Sequence, residues 1–226
     1  MKQKFYEKWA KNHKDDPQRE NILKWKAINL ANLFLRTLNN QTIKLLCEIG
    51  GAEGTVLDTI NQTLKAKKVI NYELSKEFCI TGKKKYPNIN FVNKEFSNQS
   101  QNYDIIILSD IIEHIENESE FLKLVANHCQ YALIKIPIEI CLLSKNKYGK
   151  NHPNGHLRGY TISSTIRKVS QFFNILDYEI SDSLFFYGTR KQKLFRKIFG
   201  KRIAMFLWGG NIFILAKSKL IENPIK

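Results

Sequence analysis

The run Leu45-Leu46-Cys47-Glu48-Ile49-Gly50-Gly51-Ala52-Glu53-Gly54 constrains this chain more than any other stretch. An apolar segment carries an acidic residue near its end, passes into a glycine-rich turn, and gives way near Thr55 to a helix-like segment. Buried strand, tight turn and helix in that order open an α/β fold of the nucleotide-binding type. Glycines at the turn let the backbone approach a ligand closely, because they carry no Cβ. The frame is E-x-G-x-x-x-G, from Glu48, Gly50 and Gly54. A dinucleotide fingerprint would read G-x-G-x-x-G, and a P-loop would need Lys-Ser/Thr where Thr55-Val56 stands.

The rest of the chain alternates strand and helix signals. Apolar residues recur at helical period over 21–38, at Ile22, Leu23, Trp25, Ile28, Leu30, Leu33 and Leu35. Asp15-Asp16-Pro17 marks a break before them, and Phe5, Tyr6 and Trp9 form an earlier apolar cluster. Strands are expected at 44–49, 68–73, 89–92, 103–108, 131–136, 174–180 and 211–217. Helices are expected at 76–85, 118–129 and 161–173. Glu73 ends the second strand, where a carboxylate can accept both hydroxyls of a ribose. The connection 138–160 is long for a compact domain, which points to function. The segment 190–202 would place Leu194, Phe195, Ile198 and Phe199 on one stripe with cations opposite, packed against its own domain with the basic residues outward.

Composition narrows the class. A chain of 226 residues fits one domain with a sizeable core. Its start has no signal-type apolar core, and no apolar run approaches the roughly 20 residues of a membrane span. Cys47, Cys79, Cys129 and Cys141 are widely spaced, so neither a disulfide framework nor a metal site is expected, and reduced thiols in a cytoplasmic protein are the default. The net charge of +15 suits an anionic partner: nucleic acid, anionic lipid or a phosphorylated substrate. Lysine far outnumbers arginine, the usual reader of phosphate and base edges, which weighs against RNA.

At Glu48–Gly54 the chain resembles the class I S-adenosylmethionine (SAM)-dependent methyltransferases, whose first motif is E/D-x-G-x-G-x-G; Ala52 replaces the middle glycine. Alanine does not adopt positive φ cheaply, so a slightly tightened loop is expected. Asp110-Ile111-Ile112-Glu113-His114 is similar to the Asp-x-x-Glu-His that follows the fourth strand in small-molecule and glycan methyltransferases of this class. The Asn/Asp-Pro-Pro-aromatic signature of amino-methylating nucleic-acid enzymes and the Pro-Cys of cytosine-C5 enzymes are absent. Gly155-His156-Leu157-Arg158 before a Thr/Ser-started helix also recurs in such relatives. The resemblance covers residues 43–136 and extends more loosely to Phe173.

It implies a Rossmann-like, mostly parallel seven-stranded sheet of order 3-2-1-4-5-7-6, the seventh strand antiparallel, with helices on both faces and an N-terminal helical cap over 1–40. The methyltransferase domain would then span 41–226, with acceptor-side inserts at 138–160 and 182–210. The cofactor would be SAM, leaving as S-adenosylhomocysteine (SAH). Its expected site is Glu48, Gly50, Gly51, Ala52, Gly54, Glu73, Leu74, Glu95, Phe96, Ser109 and Asp110, with Tyr6 and Trp9 as lid residues. Glu48, Glu73, Glu95 and Asp110 fall at or just past strand ends, where open α/β sheets bind ligands. So many carboxylates suit a cationic sulfonium and would repel a pyrophosphate, which favours SAM over NAD.

His114 or His156 is the expected base, oriented by Glu113. His152, Arg158, Tyr160, Lys193 and Arg196, with Lys197, are the expected acceptor contacts. The function expected is methyl transfer to a small-molecule or glycan acceptor, an oxygen of an anionic sugar-type substrate in surface-polysaccharide biosynthesis. The alternatives are an RNA methyltransferase and a degenerate SAM-binding protein. An alternative for the 190–202 helix is to lie on an anionic membrane surface.

Overall fold

The computed structural model describes residues 17–39, 41–144, 147–149, 152, 154–182 and 184–221; Tyr6 and Trp9 lie outside them. Helix α1 (Pro17–Thr37) starts on a proline, whose missing N–H is no loss in a first turn, and carries Glu20 in its first turn and Arg36 in its last. It buries Ala27, Leu30, Ala31, Leu33 and Phe34, while Ile28, read as part of the apolar stripe, faces solvent.

Seven strands follow: β1 (Leu45–Ile49), β2 (Lys68–Tyr72), β3 (Asn90–Val92), β4 (Tyr103–Ser109), β5 (Cys129–Ile138), β6 (Phe173–Asp182) and β7 (Gly210–Ser218). They form one sheet of order β3-β2-β1-β4-β5-β7-β6. The pairs from β3 through β5 are parallel, and β7 runs antiparallel between β5 and β6. The expected order is therefore the observed one. Strand β5 runs through Pro137, where the sequence suggests a stop. Its last pair with β4 is Ser109–Lys135, so beyond it β7 is its one strand neighbour, a position that tolerates a missing donor.

Alternation along the strands sorts side chains between two layers. Leu46, Ile105, Ile107, Leu133, Phe213 and Leu215 join α1, α2 (Thr55–Leu64) and α3 (Lys76–Lys85) on one face. Cys47, Ile106, Leu108, Ile134, Ile136, Ile212 and Ile214 join α4 (Glu118–Ala126), α5 (Ile162–Val169) and part of α7 (Arg190–Trp208) on the other. The four cysteines are unbridged. Among the described residues no helix is long and apolar enough to cross a membrane.

Helix α7 departs from the sequence reading. It follows the short α6 (Leu184–Tyr187), begins on a Thr189–Gln192 capping box, and is broken at Gly200, where φ is +82°. Ala204 and Met205 are buried, but Leu194, Ile198, Phe199, Ile203 and Phe206 are exposed. The expected packing stripe is thus turned to solvent. The helix is held to the domain instead by Arg196–Asp182, by Lys201–Glu179, and by Leu142 and Leu143 amides that donate to the Phe206 and Leu207 carbonyls.

Candidate cofactor and acceptor site

One cavity of about 1510 Å³ opens at the carboxyl ends of the parallel strands, the usual ligand position for such a sheet. At one end the β1–α2 turn forms a cradle. Gly50 holds φ +70° and Gly54 holds φ +87°, and a Cβ on Gly51 would run into the Glu48 carboxylate and lie 2.7 Å from Asn71 Oδ1. Gly54 has no side chain to cap α2, so Glu48 does it: the Leu57 amide donates to Glu48 Oε2 at 3.1 Å.

Ala52 adopts φ +47° despite its methyl group. The left-handed conformation costs an L-residue about 1 kcal/mol, and side chains hold both of its backbone groups there. The Ala52 amide donates to Glu73 Oε2 at 2.9 Å, and Asn71 Nδ2 donates to its carbonyl at 3.0 Å. Tertiary restraint therefore holds alanine at the positive φ that it does not adopt cheaply.

Glu73 is buried at the end of β2 and lines the cavity. Each of its oxygens accepts one amide proton, from Ala52 and Ser75, which leaves lone pairs for a ligand. Burial pushes Glu48 up to about 8 against the pull of the Leu57 amide, with the Glu73, Glu53 and Asp110 charges adding to the rise. A cationic ligand would relieve that crowding of carboxylates, so these residues fit a sulfonium cofactor. Leu74, Glu95 and Phe96 line the same end; Glu95 is exposed and Phe96 is packed edge-on to Tyr72.

Asp110 is the hinge between the ends. It also holds a positive φ, +55°. Lys26 of α1 donates to its Oδ2 at 2.5 Å, and Lys135 of β5 closes on Oδ1. Burial disfavours its charge, but the Lys135 and Lys26 charges outweigh that and hold its pKa well below the usual carboxylate range. Asp110 is thus neutralised from within, and of the four carboxylates at strand ends those left for a cation are Glu48 and Glu73, with Glu95 exposed. Arg19 likewise closes on Glu53, so the first half of α1 walls the cofactor end.

The other end is assembled from distant segments. His114, on the turn Ile112–His114, and His156 line it with Glu139, Asn154, Phe186, Tyr187 and Trp208. The two imidazoles meet edge-to-face, with centroids 4.9 Å apart. His114 Nδ1 is 3.3 Å from the Gly155 carbonyl, and His156 Nδ1 is 2.8 Å from Glu139 Oε2. These partners assign the proton to Nδ1 in both rings and leave Nε2 as the accepting atom. Burial, with the nearby His156, pushes His114 down to about 4, so it is neutral at pH 7. Burial works against charge on His156 too, but the Glu139 hydrogen bond and the Glu113 charge lift its pKa.

Glu113, expected to orient the base, does not. Its carboxylate is fully buried and neither oxygen has a hydrogen-bond partner among the described residues; Glu139 holds the His156 imidazole instead. Burial, with the Asp110 charge, pushes Glu113 up to about 7. His152 is buried beside His156 and does not line the cavity. Arg158 and Tyr160 form a strut: Arg158 donates to the Ile115 and Glu116 carbonyls at 2.5 and 2.8 Å, and both side chains engage Glu118. Lys193 and Arg196 lie on α7 outside the cavity lining, Arg196 bonded to Asp182 at 2.6 Å. Gly54 and Glu113 also lie outside that lining, whereas Gly50, Gly51, Ala52 and Ser109 belong to it.

Sequence reasoning missed Arg19, Lys26, Lys135 and Glu139. Lys135 had a signal: a lysine inside the apolar run Ala132-Leu133-Ile134-Lys135-Ile136 demands a buried counter-charge. The others had none, because their partners are 34, 84 and 17 residues away.

A family described as a methyltransferase domain matches residues 22–168. The plantazolicin methyltransferase BpumL, solved in complex with SAH, superposes with a TM-score of 0.55 at 16% identity, covering 92% of this chain and 87% of that one. A putative S-adenosylmethionine-dependent methyltransferase from Listeria monocytogenes gives 0.57 at 13% identity, covering 85% and 99%. The complex between the Haloferax volcanii Trm112 methyltransferase activator and a putative methyltransferase gives 0.67 at 10% identity, covering 98% and 99%. At these identities the solved structures share the fold. A search of curated proteins gives no match. The family match spans well over half of the chain, through the glycine turn, Asp110 and the His114–His156 pair, and with it the chain belongs to the class I SAM-dependent methyltransferases, with SAM as cofactor.

Proposed function

We propose that this protein methylates an oxygen of an anionic, sugar-type acceptor carried on a lipid, in surface-polysaccharide biosynthesis. One observation carries the reading: a single cavity joins the carboxylate-lined cradle to a histidine-lined end whose rim is apolar and basic. Tyr187, Leu142 and Leu143 are exposed at or beside that rim, and α7, whose last residue Trp208 lines the cavity, exposes five more large apolar side chains among its lysines and arginines. An apolar stripe flanked by cations suits an acceptor with an acyl or prenyl tail and a phosphate.

When bound, SAM supplies a methyl group on a positively charged sulfur. The chain's own groups do the rest. The Gly50–Ala52 backbone and Glu73 hold the nucleoside, and Glu48 and Glu73 face the cationic end. Trp208, Phe186 and Tyr187 exclude water from the acceptor end. His114 and His156 line the end where an acceptor hydroxyl would lie. In-line alignment in such a site is worth effective molarities on the order of 10⁵–10⁸ M.

Methyl-labelled SAM incubated with the full chain and a host lysate tests this. Label in the lipid-extractable glycan fraction supports the proposal. Label confined to water-soluble sugar nucleotides removes the lipid carrier from it, and nuclease-sensitive label replaces it with RNA methylation.

A further inference from the structure

Next to the acceptor end lies a group of side chains that methyl transfer by alignment alone leaves unexplained. We infer that Glu113, His114 and His156 form a binding site for a divalent transition-metal cation.

The ligand atoms of these three residues lie within 4.8 Å of one another. Glu113 is fully buried, yet neither carboxylate oxygen has a hydrogen-bond partner among the described residues. Buried carboxylates are normally paired or bonded, so two orphaned oxygens call for a ligand. The two imidazoles are set as ligands should be. Each Nδ1 is bonded to a fixed acceptor, the Gly155 carbonyl or Glu139 Oε2, which fixes the ring and places the proton on Nδ1. A carboxylate or carbonyl behind a histidine is the usual support for a metal ligand. The backbone ties the segments together, since the Leu157 amide donates to the Glu113 carbonyl at 2.9 Å.

A second trio, Glu139, His152 and His156, is equally compact but wrongly protonated. His152 Nδ1 accepts amide protons from Asn154 and His156, both at 3.2 Å, so its own proton is on Nε2, 3.8 Å from Glu139 Oε1. A nitrogen that carries a proton cannot donate a pair to a metal. His152 instead buttresses the site, stacked between Tyr148 and His156 at centroid distances of 5.6 and 4.2 Å.

Two imidazole nitrogens and one carboxylate oxygen suit Zn²⁺, Mn²⁺, Fe²⁺ or Co²⁺ better than Ca²⁺ or Mg²⁺. Three protein ligands leave coordination positions open, and His114 and His156 line the cavity, so those positions face the space for the acceptor. Resting on the reading of that end as the acceptor site, the cation would hold and polarise an acceptor oxygen.

The test is a titration of the chelator-treated full chain with Co²⁺, followed by visible absorption and calorimetry. One equivalent should bind, with ligand-field bands that Zn²⁺ displaces. Glu113→Gln and His156→Ala should each weaken binding on the order of a hundredfold, and His152→Ala only on the order of tenfold, as a supporting residue does. SAM titration of the same samples reports whether each variant is folded. A chain that binds SAM but not Co²⁺ overturns the metal site and leaves the methyltransferase reading standing. Co²⁺ binding that survives Glu113→Gln and His156→Ala, or that is lost with Cys141→Ser, also overturns it. Failure to bind SAM would strike the reading itself.

Discussion

The two ends of the cavity are built by different means. The cofactor end is made of backbone: the Gly50–Ala52 turn, the start of α2, and carboxylates standing where β1 and β2 stop. Its cradle, from Glu48 to Glu73, lies within 26 residues of chain and is brought together by the pairing of β1 with β2, with α1 and the 94–96 segment walling it. The acceptor end is made of side chains from the 112–114 turn, the long connection after β5, and α6–α7, held by hydrogen bonds such as Leu157–Glu113 and Arg158–Glu116. A ligand bound chiefly by backbone amides needs little beyond the fold. One gripped by imidazoles and aromatic rings is specified by the particular inserts. On the proposed reading, variation in those inserts would change the acceptor without touching the cofactor.

Breaking the hinge between the ends should have the largest effect. Asp110→Asn leaves Lys135 buried without its counter-charge, and should lower stability by about 3 kcal/mol in urea unfolding. Adding Lys135→Met should recover most of the loss; no recovery would mean that Asp110 acts through its strained backbone instead.

The ends should also separate kinetically. His156→Ala should lower kcat by on the order of 10²-fold while the SAM dissociation constant stays within about twofold. A matching loss of SAM affinity would show that the two ends are one coupled site.

Gly51→Ala should do the reverse. Its new methyl meets Glu48 and Asn71, so SAM affinity should fall about tenfold, roughly 1.4 kcal/mol, in calorimetry. Pre-steady-state turnover at saturating SAM should be nearly unchanged.

The smallest effect expected is with pH. Glu48 is held protonated up to about 8 by burial and by the Glu73, Glu53 and Asp110 charges, and the cationic ligand favours its ionised form. SAM affinity should therefore rise with pH up to about 8 and level off above it. Glu48→Gln should flatten that rise, and a slope unchanged in the variant would assign it to another group.

These expectations follow how far each end was legible. The strand order, Ala52 within its loop, Glu73 at its strand end and Asp110 at the hinge could all be placed because local pattern and parallel pairing suffice. Asp110 shows the limit of that legibility: its position was readable, but its neutralisation by Lys26 was not, since nothing local couples residues 84 apart. Glu139 in place of Glu113 behind the His156 imidazole is the same failure at the other end, where adjacency in sequence suggested a hydrogen-bond partner that lies 17 residues away instead. Helix α7 failed for another reason. Its period is helical whether its apolar stripe faces the core or the solvent, so pattern could assign the helix but not its orientation.

The most direct test of the central claim is a calorimetric titration of the purified full chain with SAM, beside Glu73→Ala. The account predicts one equivalent bound by the native chain and at least about tenfold weaker binding by the variant, as the loss of two hydrogen bonds to a carboxylate requires. No binding to the native chain, or equal binding to both, would contradict the placement of SAM in the Glu48–Glu73 cradle.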